Sequence, residues 1–153
     1  MDIGDIVTYA GNAWYVIDQD GEAVTLLSKD GFGSNMFDIH TNRYAESDIR
    51  HHCQNNILKR LKSVRGAKPL KTKLRDVGCE DELFLLSFEE AQRLPESIRQ
   101  FPCSWWLRSY GGYANHAARV SFTGGVDIVG RNIDCRTYAV RPAMRIPVNE
   151  LAR

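Results

Sequence analysis

The spacing of apolar residues changes period twice along this chain. Asp5-Ile6-Val7-Thr8-Tyr9, Trp14-Tyr15-Val16-Ile17 and Ala23-Val24-Thr25-Leu26-Leu27 are β-branched and aromatic runs. Turn formers separate them, at Gly11-Asn12 and from Asp18 to Gly21. The pattern predicts an antiparallel meander. Ser28 to Tyr44 is turn-rich and predicts a long loop. From Ser47 the spacing becomes helical: Ile49, Cys53, Ile57, Leu58 and Leu61 share one face, predicting a helix to about Ser63. Ser47 suits the cap, and Asp48 suits the positive end of the helix dipole. Leu83-Phe84-Leu85-Leu86 predicts a short buried strand. Ser87 then opens a second helix, with Glu90 placed for a capping box and Pro95 ending or bending it.

The last third is punctuated by glycines. Trp105 to Ser109, Ala118 to Thr123, Val126 to Val129 and Tyr138 to Ile146 predict strands, with turns at Gly124-Gly125 and Gly130-Arg131-Asn132. These segments are expected to form a second, twisted antiparallel sheet. No composition break marks a linker. The expectation is one α+β domain over residues 1–153, with two helices and small twisted antiparallel sheets.

Composition narrows the function classes. With 153 residues, 43% hydrophobic and 25% charged, the chain is long enough to bury a core without staples. The net charge of +1 favours neither nucleic acid nor membrane as partner. No apolar run approaches the ~20 residues of a membrane span. Met1 to Asp5 does not read as a signal peptide. Cys53, Cys79, Cys103 and Cys135 are widely spaced, without the close pairs of a zinc site, and are expected to be free thiols. No metal ligand set and no cofactor motif is found, and Asp18 and Asp20 before Gly21 read as a plain turn rather than a calcium loop.

Three features invite a functional reading. Lys59 to Arg75 holds eight basic residues and no acid. An anionic partner would suit it, but no aromatic is interleaved, and a solvated helix end and loop is the simpler account. His51-His52-Cys53 looks reactive, yet helical neighbours diverge and Cys53 belongs to the apolar face. Trp105 and Trp106 would point to opposite faces of a strand, one into the core and the other either core or ligand platform. Arg108 and Arg141, in apolar strand contexts, are expected to tie the scaffold to carbonyls or carboxylates.

The combination of Trp105-Trp106-Leu107-Arg108-Ser109 with Ala139-Val140-Arg141-Pro142-Ala143-Met144 resembles bacterial and phage proteins of the C-type-lectin-like fold, sulfatase-modifying-factor subtype. Several of these are the variable proteins of diversity-generating retroelements. The opening hairpin with Trp14, the segment Glu46 to Arg50 and the Leu83 to Glu89 junction are similar too, so the likeness covers most of the chain. In that family a Trp-Leu-Arg-Ser strand precedes a diversified segment and a Val-Arg-Pro-Ala strand closes it. The stretch from Ser109 to Tyr138 contains no Lys, Glu, Gln, Met or Trp. At the composition of the rest of the chain, about six would be expected. Adenine-directed mutation of asparagine-type codons produces many residue types but not those five.

The resemblance implies a C-type-lectin-like domain that is not an enzyme and displays a ligand-binding segment at 109–138. Its implied site residues are Tyr110, Tyr113, Asn115, His116, Arg119, Ser121, Thr123, Asp127, Arg131, Asn132, Asp134, Cys135, Arg136 and Tyr138. The implied partner is a macromolecular target, a protein or a glycan, and the implied location is the cytoplasm or a phage particle. Calcium-dependent sugar binding is not expected, because no Glu-Pro-Asn or Gln-Pro-Asp triplet occurs. Two alternatives stand beside this one. They are an enzyme of the sulfatase-modifying type, with Cys103 and Cys135 as its only candidate pair, and a structural domain of a phage or cell-surface assembly.

Overall fold

Residues 1–151 are described by the computed structural model. β1 (Ile6–Tyr9) and β2 (Asn12–Gln19) pair antiparallel with Tyr9 opposite Asn12. The connecting turn is therefore Ala10-Gly11, one residue ahead of the expected position. Both have positive φ, 51° and 76°, the mirror-image turn whose twist matches a hairpin. Ala10 in this region costs about 1 kcal/mol relative to glycine. The Asn12 amide donates back to the Ala10 carbonyl at 2.9 Å.

β3 (Ala23–Ser28) continues the meander, and β9 (Ala143–Pro147) joins it, giving the order β1-β2-β3-β9. This corrects the expectation that Tyr138 to Ile146 belongs to the second sheet. Val24 lies opposite Ile146 and Leu26 opposite Met144, all fully buried, so the inner faces of both strands match. Tyr138 to Pro142 is not strand. Its backbone is held piecewise, with Ala139 N–H donating to Ser104 and Val140 N–H to Gly33.

The helix after Ser47 forms as read. Ser47 Oγ accepts from the Arg50 N–H at 3.2 Å. The helix runs through α1 (Asp48–His52), a π-helical stretch (Cys53–Leu58) and α2 (Lys59–Ser63). All five residues of the predicted stripe are buried. The widened middle turn has no counterpart in the apolar spacing. Short strands β4 (Thr72–Leu74) and β5 (Cys79–Asp81), unexpected from the sequence, pair with each other.

Leu83 to Leu86 are buried as expected, but they do not form a strand. Phe84 makes one antiparallel bridge to Ala143, the Leu85 N–H donates to the Tyr44 hydroxyl, and the Leu86 carbonyl accepts from Arg108 N–H. With Gln54 donating to the Leu83 carbonyl as well, four different partners satisfy this backbone, so no ladder develops. Ser87 and Glu90 form both halves of the capping box of α3 (Phe88–Gln92). Pro95 does more than stop the helix: its carbonyl accepts from the Ile98 and Arg99 N–H groups, starting a further short helix, α4 (Glu96–Arg99).

The second sheet has the order β6-β7-β8, from β6 (Trp105–Tyr110), β7 (His116–Val120) and β8 (Val126–Asn132). Gly124-Gly125 lies in the tight β7–β8 turn, as read. Gly130 does not make a turn: it lies within β8, at φ 77°, where the register shifts. A Cβ there would overlap the Ala117 carbonyl oxygen. Trp105 and Trp106 are both fully buried and so belong to the core. The protein is thus a small α+β domain with three small antiparallel sheets and short helical segments. Among the described residues, no helix is long and apolar enough to cross a membrane.

Candidate functional site

Three arginines fasten the 109–138 region to the rest of the fold. Arg108, 5% exposed, donates to both Asp76 oxygens, to Glu90 and to the Leu85 carbonyl. These carboxylates keep its pKa raised, against the opposing pull of burial. Arg141, 1% exposed, has no carboxylate partner among the described residues. It donates to the Ser28 and Ile98 carbonyls and lies 4.6 Å from the Trp105 ring and 4.7 Å from the Phe101 ring. Burial brings its pKa down to about 10, so it remains charged at neutral pH. Both arginines act as the scaffold ties read from their apolar context.

The third tie is Arg119, and it comes from the candidate site itself. It sits opposite Trp106 on one side and Asp127 on the other. Its Nε donates to Asp127 at 3.0 Å and its Nη1 to Ser104 at 2.9 Å. Tyr138 packs on the same side, with its ring 4.8 Å from Trp106 and its hydroxyl 3.4 Å from Arg119. Arg119, Asp127 and Tyr138 are therefore partly buried and mutually engaged.

The remaining candidates gather at two ends of the β7–β8 hairpin. At one end Tyr113 is exposed, with its ring 5.0 Å from that of His116. The Asn115 amide donates to Asn132 Oδ1 at 3.0 Å. Tyr110 ends β6 opposite Ala117, and Arg131 also lies opposite Ala117 in β8. Asp134, Cys135 and Arg136 follow in the next loop, with Asp134 and Arg136 exposed and Cys135 half-buried beside Thr137. At the other end Ser121 and Thr123 form the turn, with their hydroxyl oxygens 2.9 Å apart. The four residue steps of β7 separate these ends by about 13 Å.

Sequence reasoning missed Phe122, Ile128 and Val129. They are 62%, 45% and 50% exposed, alongside Tyr110 at 46% and Tyr113 at 64%. A signal was available. A phenylalanine inside the tight turn Ser121 to Gly125 has little core to enter. Consecutive Ile128 and Val129 cannot both point inward from one strand. Gly112 lets the upstream loop close onto β8, its N–H donating to the Val129 carbonyl at 2.8 Å.

The reactive-looking segments do not assemble. Cys53 is fully buried, and burial pushes its thiol up to about 12. Burial, with Asp81 nearby, raises Cys79 to about 11. His51 and His52 instead meet Asn55 and Asn56 one turn on. All four cysteines are free. Among the described residues, no group of three or more His, Cys, Asp or Glu gathers in a way that could hold a metal ion. Neither a curated protein nor a solved structure matches the chain. A family model described as a domain of unknown function, DUF6273, matches residues 21–148. That span covers most of the sequence, and the chain belongs to the DUF6273 family.

Proposed function

We propose that this chain is a binding protein with a C-type-lectin-like fold that presents a ligand-binding surface from residues 109–138. The observation that carries the reading is the exposure of Tyr110, Tyr113, Phe122, Ile128 and Val129 on the three-stranded sheet and its loops, while Trp105, Trp106, Leu107, Ala117, Ala118 and Val120 of the same sheet are buried. Exposed aromatics next to Asn115, Arg131, Asn132 and Arg136 match the composition of an adaptable recognition surface. Large apolar residues left in water along one hairpin mark interaction sites. The target is a protein or glycan, and the chain acts in the cytoplasm or on a phage particle. Binding, not catalysis, is its role.

Diversification of this surface is part of the proposal. The absence of Lys, Glu, Gln, Met and Trp from Ser109 to Tyr138 supports it. The test is the DNA around the coding sequence. We expect a nearby imperfect copy of the stretch encoding residues 108–142, differing at adenines, with a reverse transcriptase gene beside it. Absence of both, together with identical 109–138 segments among sibling isolates, would reject diversification. A solved structure with another fold would reject the scaffold.

A further inference from the structure

The basic run holds a second, unrelated feature. Of its eight cations, only Lys62 is ion-paired among the described residues, to Glu82 at 3.1 Å. Most of the others stand singly in solvent. Arg60 and Arg65 do not: both line one groove of about 400 Å³ between the Ala10-Gly11 turn and the helix. The wall of that groove carries His52, Asn56 and Ile57, from the end of α1 and the π-helical stretch, and Leu61 and Phe32 supply further apolar surface. Among the described residues, no carboxylate lines it.

The β1–β2 turn fits this arrangement. The Arg65 side chain lies over Gly11, where a Cβ would stand 3.0 Å from Nε and 3.2 Å from Cζ. Gly11 leaves room for the guanidinium at the mouth of the groove. Neither the Arg60 nor the Arg65 side chain has a hydrogen-bond or ion-pair partner among the described residues. An unpaired surface arginine is ordinary. Two that line one concave, partly apolar groove with no acid among its described lining residues are not, because two like charges on one groove call for a counter-ion.

Part of the groove's lining is apolar. Ile57 and Leu61 are 7% and 3% exposed, and Phe32 packs against Trp14 with ring centroids 5.9 Å apart. An anion with an attached apolar group therefore fits better than a bare ion. Two guanidinium groups present more donors than one carboxylate can accept and balance the two charges of a phosphomonoester. The Asn56 amide and His52 Nδ1, 2.7 Å apart, add polar groups to the same wall. We propose that this groove binds a small organic phosphate, with Arg60 and Arg65 holding the phosphate and Phe32, Ile57 and Leu61 taking the apolar part.

Titration of the whole chain with phenyl phosphate, inorganic phosphate and benzoate, followed by calorimetry and amide chemical shifts, tests this. Phenyl phosphate should bind saturably at one site and roughly tenfold more tightly than inorganic phosphate, the gain expected from burying part of a ring. Benzoate should bind more weakly than phenyl phosphate. The double variant R60A/R65A should lose binding while keeping its melting temperature, since both side chains are exposed. The control K71A/K73A, two exposed lysines outside the groove, should bind as the parent does. Three outcomes would overturn the proposal: no saturable binding at millimolar phenyl phosphate, equal losses in both double variants, or a short single-stranded oligonucleotide binding while phenyl phosphate does not.

Discussion

Arg119 and Asp127 face each other across β7 and β8, with Nε and Oδ2 3.0 Å apart. Both belong to the expected ligand surface, and in the fold both are partly buried and hold the hairpin together. The Asp127 carboxylate also accepts from the Gly130 N–H at 3.0 Å, so it pins the register shift that Gly130 permits. Removing the arginine would leave a partly buried carboxylate and the Ser104 hydroxyl without their partner. R119A should lose about 1–3 kcal/mol of stability by denaturant titration. A loss within ~0.5 kcal/mol, the range of ordinary surface changes, would return Arg119 to the displayed surface.

The same carboxylate gives a pH dependence. Burial alone would raise the pKa of Asp127, but the Gly130 N–H and Arg119 outweigh it and hold it below the usual value. Asp38 behaves alike, with N–H donors from His40, Thr41 and Asp48 outweighing burial. A carboxyl with a lowered folded-state pKa stabilises the fold above its unfolded pKa of about 4. That stability is lost as pH falls through the folded value. The melting temperature should therefore be flat from about pH 5 to about pH 8, below the range where the raised Cys53 and Cys79 thiols begin to matter, and fall below about pH 4. D38N and D127N should each flatten the acid limb, and an unchanged limb in the double variant would assign it to other groups.

Arg141 tests the scaffold. Its guanidinium lies against the Trp105 and Phe101 rings while reaching two carbonyls on different elements. Lysine is a point charge and cannot stack and bridge in this way. R141A and R141K should each cost about 3 kcal/mol or more, measured by chemical unfolding. Recovery of most of the stability in R141K would show that charge alone is required.

What was legible in the sequence was local. The Ser87–Glu90 box and the stripe from Ile49 to Leu61 involve residues within a few turns of each other, so spacing was enough. The partners of Leu83 to Leu86 come from Tyr44, Gln54, Arg108 and Ala143, so burial could be read but the missing ladder could not. β9 leaves the second sheet for β3 because its inner face matches Val24 and Leu26, a pairing set by the whole fold. Gly130 reads as a turn residue because positive φ is required there, but that φ serves a strand irregularity instead. Arg119 looked exposed because alternation reveals a face and not what covers it; Tyr138 does so from beyond β8.

Glycine substitutions separate close approach from open turn. G130A would force a Cβ into the Ala117 carbonyl and a positive φ on alanine. We expect a loss of about 2–4 kcal/mol. Gly125 has an ordinary φ, and its nearest neighbour is the Ser121 hydroxyl at 3.3 Å. G125A should stay within about 1 kcal/mol of the parent. Equal effects in the two variants, by thermal melts, would contradict the register shift in β8.

The exposed apolar residues give the strongest test of the surface, because they make opposite demands on stability and on binding. Phe122, Ile128 and Val129, with Tyr110 and Tyr113, hold apolar area in water without serving the core. Burial of such area is worth ~25 cal/mol per Å², and in the isolated domain most of that remains unrealised. Replacing Phe122, Ile128 and Val129 together by Ser, Thr and Thr keeps β-compatible side chains in the strand and removes only exposed methyl and ring surface. Stability should change by less than about 1.5 kcal/mol in total, at ~0.5 kcal/mol per surface site. Solubility should rise, and fluorescence of a hydrophobic dye bound to the native state should fall. If these side chains instead close part of the core, the triple variant will melt several degrees lower and bind more dye. That result would remove the apolar surface from which the binding function is argued.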